Sequence, residues 1–313
     1  MDAAFAFDYI KPIVADPWHF EKIALSTGVT LQVARAGSGP LLVMLHGFPE
    51  CWYSWRHQIR ALAPRFECVA PDLRGYGQSD APRGVANYSI DKLVGDVAAL
   101  IEACGRSRAT IIAHDWGGAI AWATAMMRPE IVERLVVMNC PHLARFQTHL
   151  RRDWRQMLRS WYILFFQIPW LPEQLLKTGD FAALDRALRG SAVQKAAFSD
   201  ADLAVFRDTL RNPYSITAAI NYYRALVRQN FLTSTAQNPW LKRRISAPTM
   251  VIWGEQDVAL RKELTFGMEP LFESHFEIHY VPDSGHWVQQ EKPEVVNSCL
   301  ETFLAPLLVS PNR

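Results

Sequence analysis

Three things are missing from this chain of 313 residues: a long apolar run, a cysteine framework and an excess of either charge. The most apolar stretch, residues 161–170, is about half the length that a bilayer-spanning helix needs and has polar Gln167 inside it. The first residues, MDAAFAFDYIKPIVADPW, lack a basic lead, a continuous apolar core and a small-residue cleavage site. That excludes a secretory signal and leaves a cytoplasmic chain with no integral membrane segment as the expectation. The five cysteines, Cys51, Cys68, Cys104, Cys140 and Cys299, are odd in number and scattered, with no C-x-x-C pair. Neither a disulfide scaffold nor a zinc site fits such spacing. No other ligand cluster stands out, so no metal and no cofactor are expected. Lys and Arg total 33 against 31 Asp and Glu, a net charge of +2. Nothing in that balance draws the chain to nucleic acid or keeps it unfolded.

What is present is hydrophobic: half of the residues are apolar, with 11 Trp and 16 Phe. Most of these rings fill a core, and some are expected to line a pocket for an apolar ligand. Short apolar runs recur: LLVML (41–45), FECVA (66–70), ATIIA (109–113), RLVVM (134–138), TMVIW (249–253) and FEIHYV (276–281). Continuous rather than alternating character predicts strands buried on both faces, as in a parallel sheet. An earlier segment alternates around Thr27-Gly28 and reads as a hairpin at the sheet edge. Helical stripes lie between the strands. One is Leu93, Val94, Val97, Leu100, Ile101 and Cys104, stopped by Gly105; another is Val295, Val296, Cys299, Leu300, Phe303 and Leu304. Strand–helix alternation gives a doubly wound α/β fold, a mostly parallel sheet with helices on both faces. Residues 142–238 break the alternation with helical signals, many Arg and aromatics, and no clear strand. They are expected to form an all-helical cap inserted into a core made of 1–141 and 239–313, over the carboxyl ends of the strands where ligands bind in such sheets. In that insert Arg151, Arg152, Arg155 and Arg159 sit beside Trp154 and Trp161. Such a surface could touch lipid; ion-paired helices are the plainer expectation.

The sharpest chemical signal is ATIIAHDWGGAIAWA (109–123), a buried strand running through His114-Asp115-Trp116 into a small-residue helix. Small residue, x, nucleophile, x, small residue is the layout of a nucleophile elbow, with Ala113 and Gly117 in the small positions. An aspartate before a helix can also serve only as its cap, but capping does not require Gly117, Gly118 and Ala119 together behind a strand. A carboxylate nucleophile changes the chemistry. Serine attacking a saturated carbon ends in an ether; Asp115 attacking one gives an ester, which water cleaves at the enzyme's own carbonyl. Epoxides and organohalides are the substrates with such a carbon. His46-Gly47-Phe48-Pro49-Glu50 follows the first buried strand, so the N–H groups of Phe48 and Trp116 are candidates for an oxyanion hole. Asp257, after strand TMVIW, and His286, in Asp283-Ser284-Gly285-His286-Trp287, complete the order nucleophile, acid, base. The histidine activates water, and the carboxylate orients it. The acid could also stand one strand earlier, but MNCPH (138–142) has no carboxylate there. Glu255 and Asp283 read as solvated or capping. His46, Pro49 and Trp287 are expected to contact substrate, with His46 a structural hydrogen-bonder rather than a base.

HGFPE (46–50), GYGQSD (75–80), AHDWGG (113–118), WGEQD (253–257) and SGHW (284–287) together resemble, in order and over nearly the whole chain, the α/β-hydrolase-fold epoxide hydrolases. That family usually has Gly where this chain has Ala113, which is still small. The resemblance implies an α/β-hydrolase fold and conversion of an apolar epoxide and water to a vicinal diol through an Asp115 ester. It also implies two cap tyrosines that hold and protonate the epoxide oxygen. RSWYILFFQIPWLPE (159–173) is similar to the family's first tyrosine segment and puts Tyr162 in that place. INYYRALV (220–227) is similar to the second and puts Tyr223 there, with Tyr222 adjacent and equally phenolic. A dehalogenase on the same fold, with the Trp116 indole holding halide, and a non-catalytic small-molecule-binding protein are the rivals. A homodimer is left open.

Overall fold

The computed structural model describes residues 16–228 and 238–309. The N-terminal segment 1–15 and residues 229–237, the end of the expected insert, lie outside the described residues. Eight strands form one sheet in the order β1-β2-β4-β3-β5-β6-β7-β8. They are β1 His19–Ala24, β2 Thr30–Ala36, β3 Leu41–Leu45, β4 Glu67–Pro71, β5 Ala109–His114, β6 Val132–Met138, β7 Thr249–Gly254 and β8 Phe276–Val281. The first hairpin and the β2–β4 pair are antiparallel, and every pairing from β4 through β8 is parallel. The helices, in chain order, are α1 Arg56–Leu62, α2 Ile90–Ala103, α3 Trp116–Met127, α4 Leu143–Arg152, α5 Trp154–Arg159, α6 Trp161–Phe165, α7 Leu171–Asp185, α8 Asp200–Thr209, α9 Ser215–Arg228, α10 Val288–Glu291, α11 Pro293–Leu304 and α12 Pro306–Val309. Residues 178–181 leave helical geometry within α7. Between β6 and β7 the described residues hold helices and no strand. No helix among the described residues is long and apolar enough to cross a membrane.

The continuous apolar runs make two cores, because successive side chains of a strand point to opposite faces. Val43, Leu45, Val69, Ile111, Ala113, Leu135, Val137 and Val251 pack under α2 and α3. Leu42, Met44, Cys68, Ile112, Val136, Met250 and Ile252 pack on the other face, under Ile59 and Leu62 of α1 and Val296, Leu300, Phe303 and Leu304 of α11. Val295 of the predicted stripe is exposed instead. β8 also departs from the expectation of two buried faces: Phe276, Glu277 and Ile278 are half-buried, and His279 and Tyr280 are exposed. It is the last strand in the sheet and pairs with β7 alone, and Glu277 and His279 interrupt its apolar character. All five cysteines are free thiols.

The turn from β5 into α3 sets the position of everything above it. A Cβ on Gly117 would lie 2.1 Å from the carbonyl oxygen of Leu45, and one on Gly118 2.5 Å from the Cβ of Cys140. These two glycines let α3 start directly against β3 and β6. A methyl at Gly117 meets strand backbone, which cannot rotate away. Gly117→Ala is therefore expected to destabilise the protein by about 1–3 kcal/mol, the usual cost of overpacking. Thermal unfolding should show a drop of several degrees; an unchanged midpoint would mean that α3 can lift off the sheet freely.

Candidate active site

Asp115 is the single residue between β5 and α3 and sits at φ 49°, ψ −117°. A residue with a Cβ in that region is strained by about 1–3 kcal/mol, and such strain gathers at functional sites. Its carboxylate makes no capping bond to the N–H groups of α3. Instead it turns back over the sheet, where Oδ1 accepts the Phe48 N–H at 2.8 Å. Only a glycine at position 47 leaves room for this, since a Cβ there would lie 2.4 Å from the Cβ of Asp115. The N–H of Trp116 opens α3 and is one of the donors that a helix leaves without an internal partner.

His286 lies beside it on the loop after β8. Its Nε2 is 3.6 Å from Oδ2 of Asp115, and its Nδ1 is 2.6 Å from Oδ2 of Asp257. Asp257, fully buried on the loop after β7, also accepts the N–H groups of Ala259 and Leu260 through Oδ1 at 2.8 and 2.9 Å. Burial alone would raise both carboxyls. The His286 ring, with Phe48 N–H for Asp115 and Leu260 N–H for Asp257, outweighs it and holds both below the usual carboxylate range. Burial alone would lower His286; the two carboxylates reverse that and hold its pKa well above the ordinary histidine value. In the resting protein the three groups thus form carboxylate, imidazolium and carboxylate.

A cavity of about 500 Å³, part of it open to solvent, adjoins Asp115. Tyr162 of α6 and Tyr223 of α9 both line it, their rings edge-on with centroids 5.7 Å apart. The remaining wall is largely apolar, with Trp116, Leu143, Phe146, Ile163, Leu226 and Leu260. Burial pushes the phenols of Tyr162 and Tyr223 up, and the Asp115 charge pushes in the same direction, so both are neutral donors. Tyr222 points elsewhere: its hydroxyl donates to the Arg74 carbonyl at 2.7 Å, and its ring packs on Tyr76 and Tyr88.

The residues expected to contact substrate are placed otherwise. His46 is fully buried beneath the site, where its Nε2 accepts the Leu73 N–H at 3.0 Å and its Nδ1 donates to the Gly47 carbonyl at 2.9 Å. Burial lowers it to about 4, so it is neutral. It is a structural hydrogen-bonder and does not line the cavity. Pro49 is buried behind a cis Phe48-Pro49 bond and is also absent from the cavity wall. Trp287 donates its indole N–H to Ser191 Oγ at 2.9 Å and packs edge-on against His286 at 4.6 Å, so it backs the His286 ring rather than lining the cavity. Glu255 pairs with Lys262, and Asp283 is exposed.

Several supporting groups carried no sequence signal that distinguished them. Asn139, at the end of β6 where an alternative acid would stand, donates to Oδ2 of Asp257 at 2.8 Å and accepts the Gly254 N–H at 2.9 Å. His114 bonds Oε2 of buried Glu50 through Nδ1 at 3.0 Å and the His286 carbonyl through Nε2 at 2.8 Å. Glu291 takes the N–H groups of Gly285 and Trp287 on Oε1 and those of Val193 and Gln194 on Oε2, at 2.7–3.2 Å. It thereby ties the His286 loop to the helical segment. Arg224 donates to the carbonyls of Phe166 and Ile168 and pairs with buried Glu173 at 2.6 Å, joining the helix of Tyr223 to that of Tyr162. Such roles depend on backbone atoms that converge from distant segments, and no local pattern encodes that.

The α/β hydrolase fold family matches residues 40–293. Epoxide hydrolase 3 of Mus musculus is 37% identical over 286 residues, covering 90% of this chain and 76% of that protein. The AB hydrolase superfamily protein YfhM of Bacillus subtilis is 38% identical, covering 89% of this chain and 96% of its own. Among solved structures, the Bacillus megaterium epoxide hydrolase in complex with an inhibitor superposes with a TM-score of 0.85 at 32% identity, covering 91% of this chain and all of that one. With an aspartate at the elbow, a histidine between two carboxylates and two phenols across the cavity, the chain belongs to the α/β-hydrolase fold family and, within it, to the epoxide hydrolases.

Proposed function

We propose that this protein hydrolyses apolar epoxides to vicinal diols through a covalent ester on Asp115, beneath a cap made by helices α4 to α9 of the 142–238 insert. The observation that carries the reading is a carboxylate at a strained elbow, facing the same apolar cavity as the phenols of Tyr162 and Tyr223. A serine there would serve acyl transfer; a carboxylate serves attack on a saturated carbon. Relatives and neighbours that bear the name epoxide hydrolase support the substrate class.

Asp115, ionised, attacks one epoxide carbon. The C–O bond breaks, and the developing alkoxide takes a proton from Tyr162 or Tyr223, leaving a hydroxyalkyl ester and a phenolate. Esterification removes the negative charge beside His286, one of the charges that hold its proton. That proton can then pass to the phenolate through water, leaving a neutral imidazole oriented by Asp257. His286 draws a proton from water as the hydroxide attacks the ester carbonyl, and the N–H groups of Phe48 and Trp116 hold the oxyanion. Collapse returns the Asp115 carboxylate, the diol and the His286 imidazolium. Every proton and electron pair comes from epoxide, water and these side chains, so the sequence calls for no cofactor. Leu143, Phe146, Ile163 and Leu226 favour an apolar epoxide.

With a racemic aryl epoxide, His286→Gln should accumulate protein heavier by one substrate mass, carried on Asp115, while Asp115→Ala forms neither adduct nor diol. Diol from Asp115→Ala would sink the nucleophile assignment, and halide release from haloalkanes without diol would move the protein to the dehalogenases. In single-turnover kinetics Tyr223→Phe should slow ester formation by about 100-fold or more, the usual scale for a lost proton donor. Ester hydrolysis should change only a few-fold; equal slowing of both steps would contradict the role. The pH dependence should also split. Asp115 titrates below the usual carboxylate range, so ester formation is flat through neutral pH. Ester hydrolysis needs neutral His286 and rises with pH through the histidine pKa of the ester form; an alkylation rate with the same limb would count against this division of labour.

A further inference from the structure

Along α5 and α6 the usual arrangement of a surface helix, apolar inward and polar outward, is turned round. The buried positions include Gln156 and Ser160 beside Ile163, while Trp154, Met157, Leu158, Trp161 and Leu164 point to solvent, each 53–68% exposed. Trp170, at 67%, extends the patch to the start of α7. The orientation is fixed by bonds to the sheet side. The Gln156 side-chain amide donates to Ser160 Oγ and the Ala259 carbonyl at 3.0 and 2.9 Å, its oxygen accepts the Arg261 N–H at 3.1 Å, and Arg159 donates to the Asp257 carbonyl at 3.0 Å. The apolar face is therefore held outward and cannot roll in. An exposed run of large apolar side chains held outward in this way marks an interaction surface.

Its charge says with what. Arg152 at the end of α4, Arg155 on α5 and Lys177 on α7 are exposed, and Arg155 lies over Trp154 at 5.6 Å. The two acids of the stretch are already committed, Asp153 to Arg261 at 2.6 Å and Glu173 to buried Arg224 at 2.6 Å. Among the described residues Arg152, Arg155 and Arg159 have no carboxylate partner, so the ion-paired helices expected from sequence do not account for them. A second copy of the chain would set this all-cationic surface against itself. A bilayer with anionic headgroups complements both halves, with tryptophan and leucine entering the interfacial region and arginine meeting phosphate. We propose that the outer face of α5, α6 and the start of α7 docks this protein peripherally on an anionic lipid bilayer. α6 carries Tyr162 on its inner side and Trp161 and Leu164 on its outer side, so docking would bring the bilayer to within one helix diameter, about 10 Å, of the cavity wall.

The full chain should co-sediment with phosphatidylcholine vesicles that contain phosphatidylglycerol, at least tenfold more strongly than with phosphatidylcholine alone. The difference should shrink in about 0.5 M salt, where charges are screened within a few ångströms. The triple variant Trp154→Ser, Trp161→Ser, Leu164→Ser should lose at least tenfold in vesicle binding, while Val309→Ser, at an exposed apolar residue on α12, should bind as the parent does. Unchanged far-ultraviolet circular dichroism and diol formation from a water-soluble epoxide would show that the triple variant is folded, and Arg152→Glu with Arg155→Glu supplies a second variant with the same expected loss. Binding equal in parent and both variants, or no binding of the parent to either vesicle, overturns the proposal. A dimer in sedimentation equilibrium that the triple variant breaks overturns it as well, by making a second copy the occupant.

Discussion

A side chain can stand above a parallel sheet with its functional group free only if the chain turns from strand to helix within one residue, and this protein makes that turn at Asp115. The left-handed backbone at φ 49° points the carboxylate away from the N–H groups of α3 that it would otherwise cap. Holding a residue with a Cβ there requires the surroundings to close in. Gly117 brings α3 against the Leu45 carbonyl, Gly118 brings it against Cys140, and Gly47 clears space for the carboxylate itself. The strain is local, and two buried cores on either face of the sheet over-determine it.

The same close approach governs the electrostatics. Three buried ionisable groups in a row are costly unless their charges alternate and their remaining valences are filled. Here they alternate, and backbone N–H groups from Phe48, Ala259 and Leu260 together with the Asn139 amide fill the carboxylates. His286 owes its raised pKa to two carboxylates, so neutralising either one lowers it. Under the proposed mechanism the first chemical step does this by turning Asp115 into an ester. The assignment of acid before base then follows from which charge is lost.

The parts of this arrangement that were legible in the sequence are those in which one short segment does one job. Runs of apolar residues gave β3 to β7 within a residue or two, because a strand buried on both faces has no polar side to hide. The elbow was legible because a tight turn needs small residues at fixed offsets. Tyr162 and Tyr223 were found only through family resemblance: a buried tyrosine at helical spacing looks the same whether it faces a cavity or, like Tyr222, a backbone carbonyl. His46, Pro49 and Trp287 are expected at the substrate, yet all three are buried away from the cavity wall, where chain adjacency to His286 or Phe48 does not bring a side chain. The supporting roles of Asn139, His114, Glu50, Glu291 and Arg224 carry no local signal for a further reason. Each acts on atoms 58 to 172 residues away or on backbone groups.

Contacts of this kind tie the helical segment to the loops of the sheet, which together carry the site. The phenols sit on the helical segment, and the carboxylates and histidine sit on loops of the sheet. Glu291 gives each layer one oxygen, with Gly285 and Trp287 on one side and Val193 and Gln194 on the other. Gln156 and Arg159 bond the loop of Asp257 from α5. All of these contacts run to backbone amides or carbonyls, whose positions the sheet fixes, and so the registry between the layers does not depend on matching side chains across the interface. The cavity wall can then vary in shape, residue by residue, while the distance between Asp115 and the two phenols stays set. Under the proposed mechanism, substrate range and catalytic geometry are thus carried by different atoms.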